Sequence, residues 1–298
     1  MDRQFTGTGT SNPVFASLPI LDWNSDLLFK NLFARKDEIP TPAVVGRGNV
    51  RLVHDSDASR SGSQIVLSGV SQYVGMGARK TLVLKDINAT FEKGRYVGIL
   101  ADRGAGKTTF ANLLTGNLRP DVGDIHHGLR VSWPIGARQI LSNAASLRAN
   151  IRFLSQVYQC DFRYLLEETR DFASIPATMI DRSLSEISSE IGNRAATALV
   201  LFMPFDILVA DDTIMLGNAS FRLKAMQRLK DLRGSRGLVA ITRNVSVVRE
   251  LCDDCMVLSN GTLVDYKNRG DAIRAFKVKA TADDDEDDDR SNETNSDY

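Results

Sequence analysis

Tyr96–Val97–Gly98–Ile99–Leu100–Ala101–Asp102–Arg103–Gly104–Ala105–Gly106–Lys107–Thr108–Thr109 reads as an apolar strand, a glycine-rich turn and the opening of a helix. Gly104 and Gly106 let the backbone turn its amides inward, and a helix N-terminus adds N–H donors that have no partner within the helix. Lys107 supplies a point charge suited to β- and γ-phosphates, and Thr108 a hydroxyl suited to Mg²⁺. Arg103, Ala105 and Thr109 complete the loop that would wrap the phosphates. The strict pattern G-x-x-x-x-G-K-[ST] has its first glycine where this chain has Ala101, a small residue in its place. The stretch predicts binding of a nucleoside triphosphate.

The 298 residues suit one domain of ordinary size with appendages, or two small domains. Apolar residues make up 43% and charged residues 25%, the balance of a soluble globular protein. The net charge of zero hides an asymmetry. Residues 283–298 carry nine acidic side chains, seven of them in the run Asp283–Asp289, against the single base Arg290. Without them the 37 acidic and 37 basic residues become 28 and 36, a body of +8. Such a run repels itself and cannot pack. It is either a solvated tail or a tail that folds back on a basic face. Cys252 and Cys255 form a lone C-x-x-C with no second pair to complete a zinc site, and read as structural cysteines. The N-terminus has no basic leader followed by an apolar core. The most apolar run, Ala195–Phe205, is too short to span a bilayer and contains Pro204.

Residues 1–62 are rich in Gly, Ser, Asn and Pro and are expected to form a loosely ordered extension, with a strand near Asn49–His54. From 63 to 280 the texture is that of a folded domain. Strands are expected at Ile65–Val70, Thr81–Phe91 and Tyr96–Leu100, then a helix through Phe110, Leu113 and Leu114 that stops near Gly116. Gly123, Asp124 and Gly128 are read as turns before a strand at Arg130–Trp133. Residues 148–200 recur at helical spacing and suggest an inserted helical subdomain. Strands resume at Ile207–Ala210, Gly237–Ile241, Met256–Ser259 and Thr262–Asp265. Strands alternating with helices predict an α/β domain whose parallel core carries the nucleotide at its strand ends. Residues 281–298 are the acidic tail.

Phe205–Asp206–Ile207–Leu208–Val209–Ala210–Asp211–Asp212 is an apolar strand ending in two carboxylates. An aspartate at the end of a strand beside the P-loop strand can hold Mg²⁺, which favours that role for Asp211 over a plain turn residue.

With these residues in place the chain resembles the ATP-binding subunits of ABC transporters, and among them the ATPases that export capsular polysaccharide and O-antigen. Val131–Ser132–Trp133–Pro134–Ile135–Gly136 is similar to their S-W-P-x-G stretch, and Ser146–Phe153 to their T-G-R-E-N-V-x-F. Asp211–Phe221 is similar to D-E-x-x-x-V-G-D-A-x-F, and Ser188–Arg194 falls where S-S-G-M-R-x-R is expected, 23 residues before Asp211. The resemblance runs from about Ile65 to Phe276. It implies a P-loop NTPase of ABC type: a RecA-like parallel-sheet core, an antiparallel β part and an inserted helical subdomain. It also implies ATP and Mg²⁺ as cofactors, with Mg²⁺ on Thr108 and Asp211. Two such domains, in a homodimer or heterodimer, would sandwich two nucleotides, with Ser188, Ser189 and Glu190 facing the other subunit's P-loop. An integral-membrane permease subunit would contact the loop near Ala137–Arg148 from the inner face of the cell membrane. Tyr73 falls where the family stacks adenine; a core tyrosine is the other reading.

The chain departs from the family pattern around the γ-phosphate. Asp212 replaces the glutamate that polarises the attacking water and is one methylene shorter. Small misplacements of this kind cost up to roughly 100-fold in rate. Arg243 stands in place of the switch histidine and, being permanently charged, cannot relay a hydrogen bond in the same way. Ser142 aligns roughly with the family glutamine, with Gln139 nearby. Glu190 replaces a signature glycine. A carboxylate about 4 Å from a phosphate charge costs roughly 4 kcal/mol at an effective dielectric near 20. The expectation is a weak ATPase, with hydrolysis slow or confined to composite sites formed with a partner. A non-transporting, nucleotide-dependent regulatory module in polysaccharide synthesis or export is the alternative. Nucleic-acid binding is not expected, because Lys and Arg are dispersed and no aromatic–basic strand motif is present.

Overall fold

A computed structural model describes residues 64–75, 79–212 and 217–278. The expected extension, its strand near Asn49–His54 and the acidic tail lie outside the described residues.

Two sheets organise the chain. A three-stranded antiparallel sheet has β1 (Gln64–Val74) between β2 (Thr81–Glu92) and β4 (Val122–His127). A six-stranded sheet runs in the order β5 (Val131–Pro134), β6 (Ile207–Ala210), β7 (Gly237–Thr242), β3 (Tyr96–Ala101), β8 (Asp254–Ser259) and β9 (Thr262–Asp265). Its strands are parallel except for β9, which pairs antiparallel with β8. Every residue of β3, β6 and β7 is buried, as expected for parallel strands covered on both faces. β7 lies between β3 and β6, so the strand that leads to Asp211 is one removed from the P-loop strand rather than beside it.

The sequence reading of Gly123, Asp124 and Gly128 as turns is corrected by β4. That strand is exposed at five of its six residues, so it carries no alternation of buried apolar side chains to betray it. Its partner β1 supplies the buried face instead, through Ile65, Leu67 and Val70.

Helices cover the large sheet. α1 (Lys107–Leu114) follows β3 and packs Phe110, Leu113 and Leu114 into the core shared with the antiparallel sheet. α2 (Leu147–Val157), α3 (Phe162–Phe172) and α4 (Ser189–Phe202) form the helical part between β5 and β6. Ser146, Asp161 and Ser188 cap them by accepting from Ala149, Tyr164 and Ile191 N–H. α5 (Ala219–Leu232), α6 (Val245–Leu251) and α7 (269–278) complete the domain. No helix among the described residues is long and apolar enough to cross a membrane.

An aromatic trio joins the sheet edge to the helical part. Trp133 on β5 meets Phe205 at 5.0 Å and Tyr158 at 5.7 Å between ring centroids, and Tyr158 meets Phe205 at 5.2 Å, all edge to face. Burial pushes the Tyr158 phenol up to about 12. Cys252 and Cys255 are fully buried, and burial pushes their thiols up to about 12 and about 11. They are protonated core side chains.

Asp206 ties the start of β6 to two other segments. Its carboxylate accepts from Lys93 Nζ at 2.8 Å, from the Arg130 amide at 3.1 Å and from Arg130 Nε at 3.3 Å. Burial opposes the charge, but the bonds from Lys93 and Arg130 outweigh it and hold the carboxyl below its ordinary value. These bonds therefore stabilise fully above the unfolded carboxyl value of about 3.9, and the contribution is lost as pH falls below it through the folded value. Asp206→Asn is expected to cost about 1.5–3 kcal/mol at pH 7. Urea unfolding of both proteins between pH 7 and pH 3 checks this: the gap should narrow in the acid range.

Candidate nucleotide-binding site

β3 ends at Ala101, and residues 102–106 turn the chain into α1. Gly106 makes the turn with φ +92°, and a Cβ there would lie 2.9 Å from Val83 Cγ1 and 3.0 Å from Leu84 Cδ2. Only glycine meets both demands, the left-handed backbone and the close approach of β2. Phe110 N–H then donates to the Gly106 carbonyl at 2.8 Å and starts the helix. The amides of Lys107, Thr108 and Thr109 precede the first possible intrahelical acceptors, so they face outward as donors for an anion. Arg103, Gly104 and Thr108 are exposed around this opening, Thr109 is half-buried and Ala105 is buried against the antiparallel sheet.

The Lys107 ammonium donates to the carbonyls of Asp102 at 3.0 Å and Ala101 at 3.3 Å, and lies 3.8 Å from Asp212 Oδ2. Asp212 is tied in turn to the end of β7. Its Oδ1 accepts from Thr242 Oγ1 at 2.8 Å and from the Arg243 amide at 3.2 Å, while Thr242 Oγ1 accepts from Asn244 N–H at 3.0 Å. The structure thus brings together Lys107, Asp212 and the backbone of Arg243, with half-buried Asp211 one residue before Asp212. The Arg243 side chain is exposed.

Ser188, Ser189 and Glu190 stand on a different element, the N-terminus of α4, and all three are exposed. Ser188 Oγ caps its own helix by accepting from Ile191 N–H at 3.3 Å. Tyr73 lies inside β1, opposite Leu82, and the residue is 39% exposed, so it is not a core tyrosine. Its amide donates to Asp121 Oδ2 at 2.9 Å. Ser142 is buried and clasped by Asn150, which accepts from the Ser142 amide at 2.8 Å and donates back to its carbonyl at 3.1 Å.

Two residues of this region escaped the sequence reading. Thr242 was visible only as the last residue of an apolar run before Arg243; a hydroxyl closing a buried strand was the available signal. Arg138 donates to the Leu184 carbonyl at 2.8 Å, in the turn before α4, and packs on Gly192 of α4, where a Cβ would lie 2.9 Å from its guanidinium carbon. This contact joins segments more than fifty residues apart, which a linear reading does not reveal.

The arrangement can grip a polyphosphate through backbone amides and one ammonium. A family profile described as ABC transporter matches residues 84–215. The chain is 30% identical over 194 residues to the capsule polysaccharide export ATP-binding protein CtrD of Neisseria meningitidis serogroup B, covering 65% of this chain and 89% of that protein. It is 29% identical over 194 residues to the ATP-binding protein BexA of Haemophilus influenzae, with the same coverage. Among solved structures, the dimeric ATP-binding cassette MJ0796 in a post-hydrolysis state with ADP and Pi superposes with a TM-score of 0.60 at 19% identity, covering 69% of this chain and 98% of that one. A structure of the ATP-binding subunit of an ABC transporter superposes at 0.62 with 15% identity, covering 74% and 100%. The P-loop turn, the sheet that carries it and these likenesses agree, and the chain belongs to the ABC transporter family.

Proposed function

We propose that this chain is the ATP-binding subunit of an exporter for a cell-surface polysaccharide, coupling ATP–Mg²⁺ to a separate membrane permease at the inner face of the membrane. The observation that carries the reading is the convergence of the Lys107 ammonium, the Asp212 carboxylate and the Thr242–Arg243 segment at one edge of the parallel sheet. The cargo class is supported by the relatives, among them the polysialic acid transport ATP-binding protein KpsT of Escherichia coli, 26% identical over 199 residues. Residues 63–280 form the nucleotide-binding domain in this reading, and 148–200 its helical subdomain.

The amides from Arg103 to Thr109 hold the phosphates, and Lys107 moves its charge from the loop carbonyls to the β- and γ-phosphates. Thr108 and Asp211 would hold Mg²⁺ through their side-chain oxygens, and the ion would supply charge neutralisation at the phosphates. Tyr73, an exposed residue, stacks on adenine. Two cassettes close head to tail, each presenting Ser188, Ser189 and Glu190 to the other's nucleotide. The permease contacts the segment from Ala137 to Arg148, whose Arg138 also touches the signature helix α4.

Hydrolysis is slow in the homodimer. Oδ1 of Asp212 is occupied by Thr242 and Arg243, and Oδ2 faces Lys107. A side chain so held, and one methylene short, does not reach out to orient water. Glu190 adds a carboxylate where the opposing phosphate needs a donor. A partner cassette with an intact signature would leave this chain's own P-loop serviceable.

Two predictions follow the chemistry. Lys107→Ala is expected to weaken ATP–Mg²⁺ binding more than tenfold, at least about 1.4 kcal/mol, measured by calorimetry. Wild-type homodimer should hydrolyse slowly, and Asp212→Glu and Glu190→Gly should each raise phosphate release by about 10- to 100-fold. Rapid wild-type turnover, or no gain in either variant, would remove these two side chains as the limit on rate.

A further inference from the structure

Away from the nucleotide edge, α6 and α7 enclose an open groove of about 470 Å³ lined by Arg249, Arg269, Gly270, Ile273, Arg274 and Lys277. Ala272, Ile273 and Phe276 are buried and fasten α7 to the core, which turns the cationic side of the helix outward. Arg269 donates to the backbone carbonyl of Cys252, an anchor that fixes the guanidinium without neutralising it. Arg274 pairs with Asp271. Arg249 is exposed in the last turn of α6. Arg249, Arg269, Arg274 and Lys277 thus give the groove four cationic side chains.

We propose that this groove binds the acidic run Asp283–Asp289 of the same chain. Charge complementarity points to that occupant, since seven consecutive carboxylates stand a few residues beyond the groove. Reach agrees with it. From Val278 to Asp283 the chain can extend at most about 17 Å, and the ten residues of α7 are about 15 Å long. That reach brings the start of the run within range of the groove residues Lys277, Arg274 and Ile273. A tether this short presents the run at roughly millimolar effective concentration, which gives it precedence over a free polyanion. Docking also relieves the repulsion within the run itself. α6 begins at Val245, two residues after Arg243, so the occupied groove braces the far end of the helix that starts at the nucleotide edge.

Hydrogen exchange on the full chain tests this, with a variant in which the six aspartates of the run become Asn and Glu286 becomes Gln. At about 0.05 M salt, amides of 245–251 and 269–278 should exchange threefold or more slower in the wild type than in the variant, and the difference should vanish by about 1 M salt. The double charge reversal Arg249→Glu with Arg274→Glu should lose the same protection, and adding the neutralised run to it should change nothing further. Equal exchange in wild type and the neutralised variant at low salt overturns the proposal. So does protection that survives the double reversal. Protection that rises with protein concentration assigns the groove to the run of a second copy and overturns docking within one chain.

Discussion

The ammonium of Lys107 is where the ends of three strands are tied together. It bonds the carbonyls that close β3 and pairs with Asp212 beyond β6, and Asp212 in turn bonds Thr242 and Arg243 at the end of β7. The Lys107–Asp212 pair contributes little to stability, since the Asp212 side chain is 52% exposed and water screens the charges. Its consequence is positional. The strand order puts β7 between β3 and β6, so a carboxylate at 212 reaches the P-loop lysine only because the end of β7 supplies the hydroxyl and amide that hold it.

The two halves of the site rest on different kinds of atom. In the proposed reading, phosphate binding depends on backbone amides shaped by Gly106 over Val83 and Leu84, plus one lysine, so it survives substitution elsewhere. In the proposed reading, positioning of a hydrolytic water depends on side chains, and those at 212 and 243 depart from the family pattern in length and charge. A fold can therefore keep the first capacity while the second weakens, with no loss of packing. β3, β6 and β7 remain fully buried beneath the altered positions.

Legibility in the sequence followed burial. β3, β6 and β7 are uninterrupted apolar runs, and the α/β domain could be read from them together with the glycine turn. α2 and α3 were visible through their spacing, because each buries one face, whereas α4 is buried continuously from Ala195 to Leu201 and showed only as an apolar run. β4 was not visible, because it buries almost nothing. The adjacency of β7 to the P-loop strand, the Thr242 bond to Asp212 and the reach of Arg138 to Gly192 are contacts between distant segments. Local pattern carries no record of them. Residue types at the site were thus readable, and the bonds that orient them were not.

Glu190 shows why a single substitution can carry opposite consequences. In the isolated chain it is an exposed acid in the first turn of α4, where the helix N-terminus favours negative charge. In the proposed closed pair the same N-terminus would serve the other subunit's phosphate, and the carboxylate competes with that anion for the same positive end. The folded monomer gains from the residue and the nucleotide-bearing dimer loses. Only the partner's nucleotide bears the loss, since a cassette does not face its own signature. An asymmetric pair, in which the other cassette keeps a glycine at that position, would spare the nucleotide on this chain's Lys107 and concentrate any defect at the partner's P-loop.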